Sequence, residues 1–170
     1  MGLDSRLTSL GWTQSHAIDA CPQLVVSSPL TRALETAVGA FGRLDSGDGL
    51  LMVQQEEVQD TQASHAACYR SAGVRYVVHE ACRERAGPSP CDARRDKETL
   101  RLEFPGFDFS LIADGPDTHW VEGLAESESS VCARGFEFFR WVMAQPEREI
   151  AVVTHSAFLW YDFPVCMNED

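Results

Sequence analysis

The sequence predicts an α/β domain, and three stretches carry the prediction. Gln23–Val26, Val74–Val78 and Ile150–Val153 are short apolar runs rich in β-branched valine, and helical segments stand between them. The run Ile150-Ala151-Val152-Val153 is continuous, the pattern of a strand buried on both faces in a sheet covered by helices above and below. Strands alternating with helices in this way imply an α/β sheet rather than separate α and β halves.

Each element follows from local chemistry. Ser9–Ala17 reads as a helix and Leu24–Val26 as a strand. Ser28 suits an N-cap and Pro29 a first helical position, so a helix is expected from Pro29 to about Phe41. Arg32 then falls at the end of the first turn, where its charge opposes the helix dipole at a cost of about 0.3–1 kcal/mol. Two partners relieve that conflict: Glu35 or a neighbouring acid, or a bound phosphate, sulfate or carboxylate held by the forked guanidinium. A Gly- and Asp-rich loop follows through Gly49; beyond it Leu51–Val53 reads as a strand and Ala63–Ser71 as a helix.

Val74–Val78 leads into His79-Glu80-Ala81-Cys82-Arg83-Glu84-Arg85-Ala86-Gly87. The stretch 85–117, with Pro88, Pro90, Pro105 and Pro116 and its charges in runs, reads as an irregular insertion or lid. Ser127–Ala144 is the clearest helix, with Val131, Phe136, Phe139, Trp141, Val142 and Met143 as its apolar face and Glu126 and Glu128 near its start. Ile150–Val153 ends in Thr154-His155-Ser156, which places His155 at the carboxyl end of a strand. Ligands of open α/β sheets bind outside those ends, so Arg32, His155 and a glutamate of the 79–87 segment are expected on one rim.

Composition narrows the function classes. At 170 residues and 44% hydrophobic content the chain is expected to form one domain, residues 1–170. A net charge of −12 argues against nucleic acid and anionic membranes as partners, so any phosphate site must be a local positive pocket. Thirteen of the fourteen basic residues are Arg, a bias that fits GC-rich codons and is not itself a functional signal. The six cysteines form no Cys-x-x-Cys pair and no histidine stands at metal-ligand spacing, so reduced, buried thiols in the cytosol are expected; a Cys82–Cys91 disulfide is the alternative. No apolar run approaches the ~18 residues of a spanning helix, no leader precedes the fold, and dinucleotide, P-loop and Gly-x-Ser-x-Gly motifs are missing.

Four motifs in register resemble the histidine phosphatase superfamily, in its phosphoglycerate mutase-like family. They are Asp4-Ser5-Arg6-Leu7-Thr8-Ser9-Leu10-Gly11-Trp12-Thr13-Gln14, Ser28-Pro29-Leu30-Thr31-Arg32, Cys82-Arg83-Glu84 with Cys91-Asp92-Ala93-Arg94-Arg95 and Phe107-Asp108-Phe109, and Val152-Val153-Thr154-His155-Ser156. The third set is similar to the plant, algal and fungal branch, and the likeness runs from about Leu3 to Trp160. The resemblance implies a three-layer α/β/α fold with a mostly parallel sheet. It also implies hydrolysis of a small phosphorylated substrate through a phosphohistidine, without metal or organic cofactor.

By that resemblance Arg32 and His155 hold the phosphoryl oxygens, and Glu84 protonates the leaving oxygen, with Glu80 as the competitor. Both glutamates have a plainer reading as a solvated helix face beside Arg83 and Arg85. Arg94, Arg95 and Arg101 either reach an anionic substrate or form a solvated charged face. The family's Arg-His-Gly, whose histidine is the nucleophile, does not occur: the 170 residues contain no Arg-His pair. Tyr161–Asp170 likewise departs from the helix expected after the second histidine. The chain is therefore read as truncated at both ends and inactive as written, with an unpaired sheet edge where the missing strand would lie against the His155 strand. A non-catalytic phosphate-binding or scaffolding relative is the alternative and a phosphoglycerate mutase the third; substrate and oligomeric state stay open.

Overall fold

The structure, a computed structural model, describes residues 3–56 and 63–162. Its centre is a four-stranded sheet of β1 (Leu24–Ser27), β4 (Arg75–His79), β5 (Asp108–Leu111) and β6 (Ile150–Val153), in the order β5-β4-β1-β6 with every pairing parallel. Two short strands, β2 (Leu50–Met52) and β3 (Cys68–Tyr69), form a separate antiparallel pair. Helices α1 (Ser9–His16) and α2 (Thr31–Phe41) cover one face, and α4 (Glu128–Met143) and α5 (Ser156–Asp162) the other, with α3 (Lys97–Glu103) leading into β5. This is the expected three-layer α/β/α arrangement.

Side-chain alternation assigns the faces. Val25, Tyr76 and Val78 pack with Trp12, Leu34, Ala37 and Val38 on one side, while Leu24, Val26 and Val77 pack with Val131, Phe138 and Phe158 on the other. β1 is wholly buried because it pairs on both sides. β6 is only half-buried, against the expectation of a strand buried on both faces. Among the described residues it pairs with β1 alone and so forms an edge of the sheet.

Other expectations are corrected by tertiary contacts. Ala63–Ser71 is extended rather than helical: Tyr69 exchanges backbone hydrogen bonds with Arg43, and His65 with Gln55, which pins the segment as an antiparallel partner. The 85–117 stretch is not wholly a lid. Its second half supplies α3, capped by the Asp96 carboxylate on Glu98 N, and β5, the outer strand of the sheet. On α4 the buried face is Val131, Gly135 and Phe138; Phe136 and Met143, expected in the core, lie 60% and 85% exposed on the far side of the helix. The chain remains helical to Asp162, and the rest of the Tyr161–Asp170 segment, including Cys166, lies outside the described residues.

Helix α2 begins two residues later than expected, and its cap comes from far away in sequence. Leu30 occupies the N-cap and offers no side-chain oxygen; the buried Asp4 carboxylate instead accepts from Thr31 N and Thr31 Oγ1, both at 2.7 Å. Asp4 holds a left-handed backbone (φ 47°), a conformation that aspartate tolerates better than most residues. Arg95 closes the cluster by bonding Asp4, Thr31 Oγ1 and both oxygens of Glu103, which also receives Arg6. Arg94, Glu80 and Asp117 form a second buried cluster with Arg83. Arg94 is buried and Arg95 half-buried in these ion pairs, so neither forms part of a solvated face, whereas Arg101 is exposed and pairs with Glu98.

Glu35, one turn into α2, is buried and accepts from Leu7 N at 2.6 Å, with Arg6 Nε 4.0 Å from its other oxygen. Burial outweighs these contacts and raises its carboxyl to about 7. The folded state then binds this proton more tightly than the unfolded state, so Glu35 withdraws stability as pH rises from its ordinary range near 4.5 through 7. Glu35→Gln is expected to lose that penalty. Chemical denaturation at pH 5 and pH 8 should show the variant gaining on the parent by up to about 3 kcal/mol at the higher pH. Equal pH profiles would refute the account.

Candidate active site

The site is built where β1, β4 and β6 end together. Ser27 is in register with Val78 on one side and Val153 on the other, so Ser28, the 79–87 segment and Thr154–His155 leave the sheet at the same rim. Ser28 N donates to Val153 O at 2.9 Å, and Thr154 Oγ1 donates to Cys82 O at 2.6 Å, which ties the three strand ends to one another.

His155 sits at the centre, only 8% exposed, with Nε2 2.8 Å from Ser28 Oγ. Ser28 is not the N-cap expected of it; its Oγ accepts from Leu30 N and positions His155 across the rim. Burial first, and then Arg32, Arg134 and Arg83, push the imidazole down to about 3. His155 is therefore neutral at physiological pH and stands in a field of positive charge. A chain of net charge −12 here concentrates guanidinium groups on one buried ring, the local positive pocket that an anion requires.

Arg32 projects from the first turn of α2 and is partly open to solvent. Its NH1 donates to Cys91 O at 2.7 Å and its NH2 to Asp92 Oδ1 at 3.3 Å. Glu35, the partner considered from sequence, points instead into the core toward Leu7 and Arg6. Asp92, from the insertion, relieves the dipole conflict in its place and leaves other guanidinium donors for a ligand.

Glu84 and Glu80 are separated by what they touch. Glu80 bridges Arg83 and Arg94 in the buried ion-pair cluster. The Glu84 carboxylate accepts from Phe158 N at 3.0 Å, in the first turn of α5 and three residues beyond His155. It lines an open cleft of about 310 Å³ together with Gly87, Pro88, Asp92 and Ala157. Arg32 through Asp92, and Glu84 through α5, thus converge with His155 on one corner of the rim.

Sequence reading missed three contributors. Arg134 on α4 reaches across to Ala81 O and Arg83 O, pairs with Glu126 through two bonds, and lies 5.0 Å above the Phe158 ring. Asp92 orients Arg32, and Ser28 orients His155. Ser28 and Asp92 stood inside motifs that drew attention to their arginines; Arg134, in the middle of an exposed-looking helix, carried no signal at all. Cys82 is fully buried and its Sγ donates to His79 O, while the Cys91 Sγ points to Ser89 Oγ. Among the described residues no helix is long and apolar enough to cross a membrane.

If Arg32 helps to depress His155, its removal must release the ring. In an NMR titration of the parent, His155 should remain neutral to about pH 4, as its pKa of about 3 requires. Arg32→Met should move its titration upward, because one of the like charges disfavouring imidazolium is gone. An unmoved titration would separate the two residues.

The chain is similar in sequence to several known proteins. The chain is 36% identical to phosphoglycerate mutase-like protein 1 of Arabidopsis thaliana over a 175-residue alignment covering 98% of the chain and 62% of that protein. It is 37% identical to a second Arabidopsis phosphoglycerate mutase-like protein, over 92% of the chain and 61% of the relative. With phosphoglycerate mutase-like protein 2 of the same plant it shares 32% identity, over 92% of the chain and 56% of the relative. The chain spans about 60% of the length of these relatives. No protein-family profile matches it, and no solved structure matches it significantly. The motifs around Asp4, Arg32 and His155, the three-layer parallel sheet and these relatives agree with one another: the chain is similar to phosphoglycerate mutase-like proteins, the family of the histidine phosphatase superfamily that its motifs resemble.

Proposed function

We propose that this chain carries the phosphate-holding part of a phosphomonoester phosphatase that works through a phosphohistidine in the cytosol. The observation that carries the reading is the neutral, buried His155 held at a strand end among guanidinium groups. Such a ring accepts or donates hydrogen bonds to a phosphoryl group without placing a permanent charge in the core, while Arg32 supplies the charge at the rim. Both act as preorganised electrostatics for the transferring group. Glu84, on the cleft and within reach of the α5 segment, is assigned the proton donor to the leaving ester oxygen.

The covalent step is assigned to no residue of this chain, since the 170 residues contain no Arg-His pair. The same observation keeps a second reading alongside the first, a phosphate-ligand-binding relative without turnover. The relatives bear the name phosphoglycerate mutase-like, and a mutase uses the same phosphohistidine and is subject to the same requirement.

Calorimetric titration of the 170-residue chain with inorganic phosphate tests the pocket. Binding is expected, with Arg32→Ala and His155→Ala each abolishing or severely weakening it and Glu84→Gln leaving it nearly intact. Hydrolysis of p-nitrophenyl phosphate by the same protein is expected to be undetectable, since loss of a covalent nucleophile costs on the order of 10⁶ in kcat in a well-studied protease. Phosphate binding indifferent to both Arg32 and His155 would refute the assignment, and hydrolysis abolished by His155→Ala would overturn the division of labour.

A further inference from the structure

Far from the phosphate corner, two histidines meet in a way that their own hydrogen bonds make unstable without a cation. His16, at the end of α1, and His65, in the extended segment before β3, bring their Nε2 atoms to 3.1 Å. Each ring has its other nitrogen on a backbone carbonyl: His16 Nδ1 is 3.0 Å from Gly39 O and His65 Nδ1 is 2.8 Å from Ala66 O. A carbonyl oxygen only accepts, so both Nδ1 atoms carry the hydrogen and both Nε2 atoms present a lone pair. Two lone pairs then face each other at hydrogen-bond distance with no proton between them. The arrangement requires something electron-deficient.

We propose that His16 and His65 form a chelating site for a divalent transition-metal ion of the zinc or nickel type. A cation at the usual imidazole distance of about 2.0–2.1 Å from each nitrogen would subtend roughly 98°, between the octahedral and tetrahedral angles. Anchoring of the distal ring nitrogen on a carbonyl is the habitual support of a metal-binding histidine, and here both rings have it. Neutral imidazole is the preferred ligand of these ions.

The surroundings fit a site of this kind. Trp12 is buried beneath His65, with ring centroids 3.7 Å apart, and fixes that ring from below. His16 is exposed, which leaves the remaining coordination positions open to water. Gly39 lets α1 approach α2 closely enough for its carbonyl to reach His16, since a Cβ there would collide with the Ser15 side chain. Cys68 lies nearby, but its Sγ is 3.8 Å from His65 Nδ1, the ring nitrogen turned away from His16, so it stands on the wrong side of the ring to be a ligand. No cluster of three or more His, Cys, Asp or Glu is gathered among the described residues, so water completes the shell and the site is an exposed two-ligand clamp. The ion would join α1 to the segment that precedes β3.

The separation of 49 positions from His16 to His65 hides this pair from any spacing rule, which is why no metal was expected from the sequence. The test uses the full 170-residue chain after chelator treatment. ZnCl2 or NiCl2 at pH 7.5 should bind with one-to-one stoichiometry by calorimetry and raise the melting temperature in proportion to log concentration. Loss of hydrogen-bond support alone weakens metal sites by about 10–100-fold, so His16→Gln or His65→Gln should weaken binding by at least about tenfold. His119→Gln, at an exposed histidine elsewhere, should leave it unchanged. His16 is on the surface, so its variant keeps the fold, which circular dichroism would verify. Binding that survives His16→Gln, or a parent protein whose melting temperature ignores both metals, would overturn the proposal; in the latter case the pair shares a proton instead.

Discussion

The parallel pairing of β1 with both β4 and β6 is the constraint on which the rest of the molecule depends. Because Ser27 is level with Val78 and Val153, three chain segments leave the sheet at one height. Every group of the candidate site is within a few residues of those exits or is held by something that is. The register itself is fixed by burial: a slip of one residue would exchange Val25 and Tyr76 with Val26 and Val77 between two differently shaped cores.

An arginine-rich, acidic chain must then place its charges. Arg83, Arg94 and Arg95 are neutralised by Glu80, Asp117, Glu103 and Asp4 inside the protein, in clusters that tie the 85–117 insertion to the helix starts beneath it. Asp117 gains from this, the paired Arg83 holding its carboxyl down at about 2 against the opposing effect of burial. What distinguishes the His155 corner is that, among the described residues, three guanidinium groups and no carboxylate bear on its ring. The same insertion that neutralises the structural arginines also sends Asp92 to Arg32, so the scaffold and the site share one piece of chain.

Much of this was legible in the sequence. Valine-rich runs marked three of the sheet's four strands because buried parallel strands have no polar face to disguise them. His155 was legible because it stands just beyond such a run, and Arg32 because it falls in the first turn of the helix that follows one. β5 was not, since Asp108-Phe109-Ser110-Leu111 buries one side chain and earns its place only by pairing with β4. The Ala63–Ser71 segment misled because its alanines favour a helix, and the backbone exchanges with Arg43 and Gln55 that extend it are invisible locally.

The amino-acid sequence by itself determined the fold class, three of the four strands of the central sheet with the helices α1, α2 and α4, and the two residue types, arginine and histidine, that stand beyond the strand ends. Only the tertiary structure decided that Glu84 accepts from Phe158 N, that Asp4 rather than Ser28 caps α2, that Arg134 contributes positive charge, and that His16 meets His65. Periodicity and capping act over a few residues and leave their mark on neighbouring letters. Hydrogen-bond partners 27, 49 or 74 residues apart are selected by packing, and nothing local in the chain records them.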